Sequence, residues 1–212
     1  VLAIICVFLS VVLNAQQTSG LFKNIISSTS EKETDFPVVS SDKAAATIRY
    51  DEADWKGVIR AIADLQTDIN SVTGVKPQML SSGAFSDYEI IVGTIGKSKL
   101  IDQLVASNML DVADVKGKWE SFVITTIDNP QSGTKKCLVI AGSDKRGTIY
   151  GIYELSQQLG VSPWYWWADV PAKQRPSAYV LAGRYSSGEP AVKYRGIFIN
   201  DEAPCLTTWV KN

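Results

Sequence analysis

From Trp55 to Val72 the residues Trp55, Val58, Ile59, Ile62, Leu65, Ile69 and Val72 recur at spacings of three and four. That period places them on one face of a helix. Asp54 stands where an N-cap belongs, and Gly74 where a left-handed C-cap belongs. A helix face this apolar must be covered, and the runs around it supply the layer. Strands are predicted at residues 47–50, 76–80, 88–92, 119–127 and 137–141. Two further helices are predicted at 98–107, with Leu100, Ile101, Leu104 and Val105 apolar, and at 146–159, with Ile149, Ile152, Tyr153 and Leu159 toward the core. Residues 128–133, Asp-Asn-Pro-Gln-Ser-Gly, read as the turn joining the fourth and fifth strands. Strands interleaved with helices in this order define an α/β layer domain with a mixed sheet.

The chain has 212 residues, 45% of them hydrophobic and 20% charged, enough to fill one core of ordinary size and part of another. A formal net charge of −1 provides no bulk basic field for nucleic acid. Histidine is absent from the sequence, which excludes Ser-His-Asp and Cys-His catalysis and His-ligated metals within it. Carboxylates, Lys, Tyr, Cys and backbone groups remain as the available chemistry, and neither a cofactor nor a metal is expected.

Residues 1–15, VLAIICVFLSVVLNA, are almost wholly apolar and end in the small Ala15. They are short for a membrane span and read as a signal-peptide core cleaved after Ala15, with no membrane attachment afterwards. Cys137 and Cys205 then remain. They fall in strands of two separate units and are not expected to pair. Residues 16–43 read as a polar lead-in that becomes ordered near Phe36-Pro37, and 44–170 as the α/β domain. Residues 171–191, rich in Pro, Gly and Ser, read as an inter-domain linker. Residues 192–199, VKYRGIFI, begin a new unit that occupies 192–212. This last strand carries no partner of its own in the sequence, so a long apolar edge is expected there.

Four stretches invite a chemical reading. Gly93-Thr94-Ile95-Gly96-Lys97-Ser98 follows a strand and opens a helix, but position 91, where a phosphate loop needs its first glycine, is Ile. It reads as a tight turn with Ser98 as N-cap. The run 142–151, GSDKRGTIYG, puts Lys145 and Arg146 at a helix N-terminus. A carboxylate ligand fits there; so does a plain reading in which Asp144 caps the helix, the basic side chains are solvated, and Gly147 and Gly151 allow close packing. The run 163–169, PWYWWAD, holds Trp164 and Trp166 among four consecutive aromatics that cannot all enter one layer. They serve as a wedge between domains or as a wall for a sugar. Asn200-Asp201-Glu202 follows the strand 192–199. If that strand opens a (β/α)8 barrel, this is the end at which active-site residues stand, although strand-end carboxylates also cap helices.

The runs SDKRGTIYGIYELSQQLGVSPWYWWADVP and YRGIFINDEAP are similar to the corresponding run of glycoside hydrolase family 115, the xylan α-1,2-glucuronidases. The resemblance extends over most of residues 45–212. Its looser part, a helix opening Arg-Gly-x-x-Tyr-Gly, is also similar to the accessory domain of hexosaminidase-type and other glycosidases. The family 115 resemblance implies an N-terminal mixed-sheet α/β accessory domain followed by the first strand of a truncated (β/α)8 barrel. It further implies a secreted or periplasmic enzyme that removes α-1,2-linked (4-O-methyl)glucuronic acid from glucuronoxylan by inversion, able to form a homodimer at full length. On matching position it makes Asp201 and Glu202 the active-site carboxylates with Asn200 beside them. Lys145, Arg146, Trp164 and Trp166 become substrate-binding candidates. The remaining acid is expected on later strands, so residues 1–212 alone are expected to be inactive. Another glycosidase with the same accessory domain, and a non-catalytic carbohydrate-binding or scaffold domain, are the alternatives.

Overall fold

The computed structural model describes residue 22, residues 24–30 and 32–196, and residue 198. The proposed signal segment, residues 1–15, lies outside them, as does Cys205.

A six-stranded sheet forms the frame. In chain order its strands are β3 (Thr47–Tyr50), β4 (Met79–Leu80), β5 (Tyr88–Thr94), β6 (Phe122–Gln131), β7 (Thr134–Gly142) and β9 (Arg184–Ser186). Across the sheet they run β4-β3-β5-β7-β6-β9. The first four of that order are mutually parallel, while β6 is antiparallel to β7 and β9 is antiparallel to β6. This is the mixed-sheet α/β architecture that the order of elements implies.

The apolar runs are continuous because both faces of the sheet are covered. Side chains alternate between two cores. Ile90, Val92, Leu138, Ile140, Phe122 and Ile124 face one, under α1 (Lys56–Thr73) and α3 (Lys145–Leu159). Ile91, Cys137, Val139, Ala141 and Val123 face the other, under α2 (Lys99–Ala106) and the loop carrying Leu110, Val112 and Val115. Helix α1 buries Val58, Ala61, Ile62, Leu65, Ile69 and Val72. Each large aliphatic side chain so buried contributes roughly 1.5–3 kcal/mol. Gly74 ends the helix at φ 74°, its N–H donating to the Asn70 carbonyl at 2.8 Å. Cys137 is a buried free thiol, and burial, with Glu89 and Asp128 nearby, pushes its pKa up to about 12.

Residues 128–131, read as turn, continue β6 and leave only Ser132 and Gly133 before β7. Three further stretches differ from their sequence reading. The lead-in 16–43 supplies β1 (Ile26–Ser27) and β2 (Phe36–Val39), and the linker 171–191 supplies β8 (Ala178–Val180) as well as β9. Strands β1, β8 and β2 form a separate antiparallel sheet. Ile25, Ile26, Phe36, Val38, Ala178 and Val180 join the first core. Strands of two to four residues leave too little pattern to read locally, and their partner lies more than a hundred positions away. The third stretch is 192–199. Its described residues form no strand, and Val192, Tyr194 and Phe198 are exposed, Phe198 at 92%. No neighbouring strand among the described residues offers them a ladder.

One charged pair is enclosed in this frame. The Arg49 side chain is 1% exposed and the Glu89 side chain 0%. Arg49 donates to Glu89 through Nε (3.1 Å) and Nη2 (2.9 Å), and to the Ser82 and Ala84 carbonyls at 2.8 Å each. Ser86 N–H donates to the same carboxylate at 2.7 Å, so both charges are saturated with partners. Glu89→Ala strands the guanidinium and is expected to cost about 3–5 kcal/mol. Paired replacement, Arg49→Met with Glu89→Leu, is expected to cost less than that single change. Urea unfolding midpoints check both, and a Glu89→Ala protein within about 1 kcal/mol of wild type would contradict the reading.

Candidate functional site

In open α/β sheets ligands collect at the carboxyl ends of parallel strands. Here that edge is filled by the protein's own polar groups. Asp54, expected to cap α1, does not: Trp55 occupies the cap position without a side-chain bond. The Asp54 carboxylate instead accepts from Thr94 N–H (2.7 Å) and Thr94 Oγ1 (2.9 Å), tying the start of α1 to the end of β5. Thr94 Oγ1 lies 2.8 Å from Thr148 Oγ1, which donates to the Asp144 carbonyl at 3.0 Å. Satisfying the strand end outweighs capping the helix, because Thr94 is buried and the helix start is exposed.

The turn 93–98 holds no phosphate cradle. Gly96 N–H donates to Asp102 and Lys99 N–H to Asp51, each at 2.8 Å. Carboxylates of the chain occupy the places an anion would take. Ser98 sits at the N-cap of α2, but its hydroxyl makes no cap bond.

The second strand-to-helix turn is different. Asp144 caps α3, accepting from Gly147 N–H at 2.7 Å. Its other oxygen accepts from Glu120 N–H at 2.8 Å. Helix α3 approaches the neighbouring strand so closely that a Cβ on Gly147 would lie 2.2 Å from the Ser121 carbonyl oxygen. This contact places Glu120, a non-glycine residue at φ 49°, directly beside the helix start. Arg146 Nη1 pairs with Glu120 Oε1 at 2.8 Å, and Arg146 Nη2 donates to Tyr150 Oη at 2.6 Å. Arg195 reaches the same carboxylate, pairing with Glu120 Oε2, and donates to Tyr150 Oη at 3.3 Å.

Beside this cluster lies a groove of about 860 Å³, lined by Asp64, Asp68, Glu120, Tyr150, Tyr153 and Arg195 among others. Tyr153, expected in the core, is 45% exposed and donates to Asp64 at 2.8 Å. Burial, then the Asp64 carboxylate, pushes its pKa up to about 12. Burial also raises Asp68 above the usual carboxylate range, opposed by Ser156 and reinforced by Asp64.

Of the residues singled out in the sequence, Lys145 begins α3 and is exposed, and Arg146 is engaged by Glu120 and Tyr150. Trp164 is 62% exposed and precedes the single turn α4 (Tyr165–Ala168). Trp166 falls within that turn, but its side chain lies outside what the structure describes, and Asn200, Asp201 and Glu202 lie outside the described residues altogether. Glu120, Tyr150 and Arg195 were not singled out. Arg195 lies inside the quoted run YRGIFINDEAP, while Glu120 carries no local signal. Among the described residues, no group of acidic and cysteine side chains is arranged to hold a metal, and no helix is long and apolar enough to cross a membrane.

The family model described as glycosyl hydrolase family 67 N-terminus matches residues 38–155, more than half of the chain. The model described as glycosyl hydrolase family 115 matches residues 187–212. Among solved structures the chain is similar to one described as a family GH115 4-O-methyl-alpha-glucuronidase with specificity for decorated arabinogalactans. The identity is 34% and the TM-score 0.66, over 82% of this chain and 21% of that one. It is also similar to the GH20 beta-N-acetylhexosaminidase from Streptomyces coelicolor A3(2), at 13% identity and a TM-score of 0.43, over 74% of this chain and 24% of that one. The N-acetyl-beta-hexosaminidase of Streptomyces plicatus gives 12% and 0.43, over 74% and 23%. At such identity and score neither hexosaminidase bears on function. No curated protein matches the chain. The α/β unit is the N-terminal domain of a glycoside hydrolase. The chain belongs to glycosyl hydrolase family 115 and spans about a fifth of the family member it resembles in structure, 21% of that chain.

The groove yields a pH prediction. Tyr153 keeps its proton in the folded state to about pH 12, above its ordinary value near 10. A raised acid pKa stabilises the fold below the unfolded value, and that contribution is lost as pH climbs through the window from about 10 to 12. Tyr153→Phe is therefore expected to lose less stability than wild type across that window, as read by thermal midpoints at pH 9, 10 and 11. Parallel losses in the two proteins would contradict it.

Proposed function

We propose that the protein carrying this chain is an exported α-glucuronidase that removes glucuronic acid, or its 4-O-methyl form, from a plant polysaccharide. The observation that carries the reading is the family 115 match over residues 187–212, the stretch that contains Asn200, Asp201 and Glu202. The structural neighbour described as a 4-O-methyl-alpha-glucuronidase supports it. The apolar start of the chain supports export.

Inverting hydrolysis places a general acid and a general base on opposite faces of the anomeric carbon, their carboxyls roughly 6.5–9.5 Å apart. The base takes a proton from water as the water oxygen bonds the anomeric carbon. The acid protonates the departing glycosidic oxygen as the old C–O bond breaks. Asp201 and Glu202 are adjacent in sequence, and one of them is proposed to serve, with its counterpart supplied by a later strand. Asp201 is assigned the role, with Asn200 and Glu202 beside it. Trp164 and Trp166 are assigned to sugar contact and Lys145 to the uronate. Arg146 is a lesser candidate for the uronate, since Glu120 already meets its charge. The full-length enzyme is proposed to act on glucuronoxylan and to form a homodimer. Residues 1–212 alone are proposed to be inactive, since one carboxylate cannot act on both faces.

Purified full-length wild type and Asp201→Ala, each incubated with glucuronoxylan and with a glucuronylated arabinogalactan, provide the test. Wild type is expected to release (4-O-methyl)glucuronic acid from the xylan. A folded Asp201→Ala is expected to be slower by on the order of 10²–10⁴-fold. Release from arabinogalactan alone would keep the activity and replace the polymer. Equal release by both proteins would remove Asp201 from the mechanism, and no release from either polymer would overturn the reading.

A further inference from the structure

We propose that Glu120 is a positioning residue: its carboxylate ties Arg195, on the segment that leads to Asn200-Asp201-Glu202, to the N-terminal end of α3. The role rests on the functional reading above, while the tether rests on geometry alone.

Four observations converge on Glu120. Its backbone is held in the left-handed region, φ 49°, a conformation that persists in a non-glycine residue only where its surroundings over-determine it. The surroundings here are Asp144, which accepts from Glu120 N–H at 2.8 Å, and Glu189, which accepts from Trp119 N–H at 3.0 Å. Secondly, the Glu120 side chain is 9% exposed, so its charge has to be met by partners. Thirdly, the partners are two guanidiniums, one on each oxygen: Arg146 on Oε1 at 2.8 Å and Arg195 on Oε2. Finally, the aromatic rings around the pair fix where Arg195 lies. Its guanidinium carbon stands 5.5 Å from the Tyr150 ring centre and 5.7 Å from that of Trp119, and its Nη2 also donates to Tyr150 Oη.

Arg146 is bound to the helix and Arg195 to the outgoing chain. Glu120 is the bridge between them, and Tyr150 accepts from both. The residues around Arg195 are otherwise weakly held, with Tyr194 at 87% exposure and Phe198 at 92%. Asp201 is six positions after Arg195, so even a fully extended chain keeps Asp201 within about 20 Å of the anchor. A carboxylate misplaced by 1 Å loses a large part of its catalytic effect. An anchor at this point in the chain therefore limits where Asp201 can stand relative to the α/β domain.

The test has two arms. In the 212-residue chain, chymotryptic cleavage after Tyr194 reads release of the segment. Glu120→Gln and Arg195→Gln are each expected to speed that cut by about tenfold, and the double variant no further. No acceleration, or full additivity, would overturn the tether. In the full-length protein, Glu120→Gln is expected to lower kcat for uronic acid release by about fivefold or more, with KM within twofold. A rise in KM alone, or no change in kcat, would overturn the positioning role while leaving the tether standing. A wild type that releases no uronic acid removes the functional reading and the positioning role with it, and the cleavage arm still decides the contact.

Discussion

The close approach of α3 to the sheet is the constraint on which the arrangement depends. A Cβ at Gly147 would lie 2.2 Å from the Ser121 carbonyl, and one at Gly151 would lie 2.8 Å from Ile140 Cγ2 and 3.1 Å from the Phe122 ring. No side chain fits at either position without moving backbone or core. Because the helix can settle this low, its first turn comes level with the segment entering β6. The Asp144 carboxylate then spans both, with one oxygen on the helix and one on Glu120. The whole cluster of Glu120, Arg146, Tyr150 and Arg195 follows from that depth. With a helix standing farther from the sheet, the same residues would be solvated separately, as exposed ion pairs of little worth.

A second consequence is that the sheet's carboxyl edge is closed by internal hydrogen bonding. Asp54, Thr94, Thr148 and Asp144 form a chain of short contacts linking the starts of α1 and α3 through the end of β5. Asp51 and Asp102 occupy the amides of the neighbouring turn. These carboxylates hold the strand-to-helix turns and occupy backbone amides that an anion would otherwise take. The polar groups that in a nucleotide-binding domain would meet a ligand are here spent on the domain itself.

This division explains what was legible in the sequence. Helix α1 was, because its buried face from Val58 to Val72 repeats at the helical period and Gly74 closes it. The central parallel strands were, because their runs Ile90–Val92 and Cys137–Ala141 are apolar on both faces. The three-stranded sheet was not: β1 and β2 acquire their meaning only from β8, and local pattern cannot name a partner so distant. Asp54 was read as a cap because position and residue type both fit, but a buried Thr94 competed for the same oxygens. Tyr153 was read as core because its spacing fits, but its hydroxyl finds Asp64 at the surface. The plain reading of the 142–151 run held for Asp144 and the two glycines, and Arg146 is exposed as that reading has it but is also paired with Glu120. Its partner Glu120 is in direct contact at 2.8 Å but 26 positions back in sequence. Asn200, Asp201 and Glu202 lie outside the described residues.

The electrostatics of the described surface favour a positional role for the α/β domain over a chemical one. Its large groove gathers Asp64, Asp68, Glu120 and Glu154 against Arg60 and Arg195. Arg60 is already paired with Asp64, and Arg195 with Glu120. The raised pKa of Asp68 expresses burial first and then the neighbouring Asp64 charge. A uronate entering such a groove would add a further anion to a place that already resists one. The cationic end of α3, with Lys145 exposed, is the more hospitable face. Through the contact of Glu120 with Arg195, the α/β domain instead bears on where the chain after Arg195 begins.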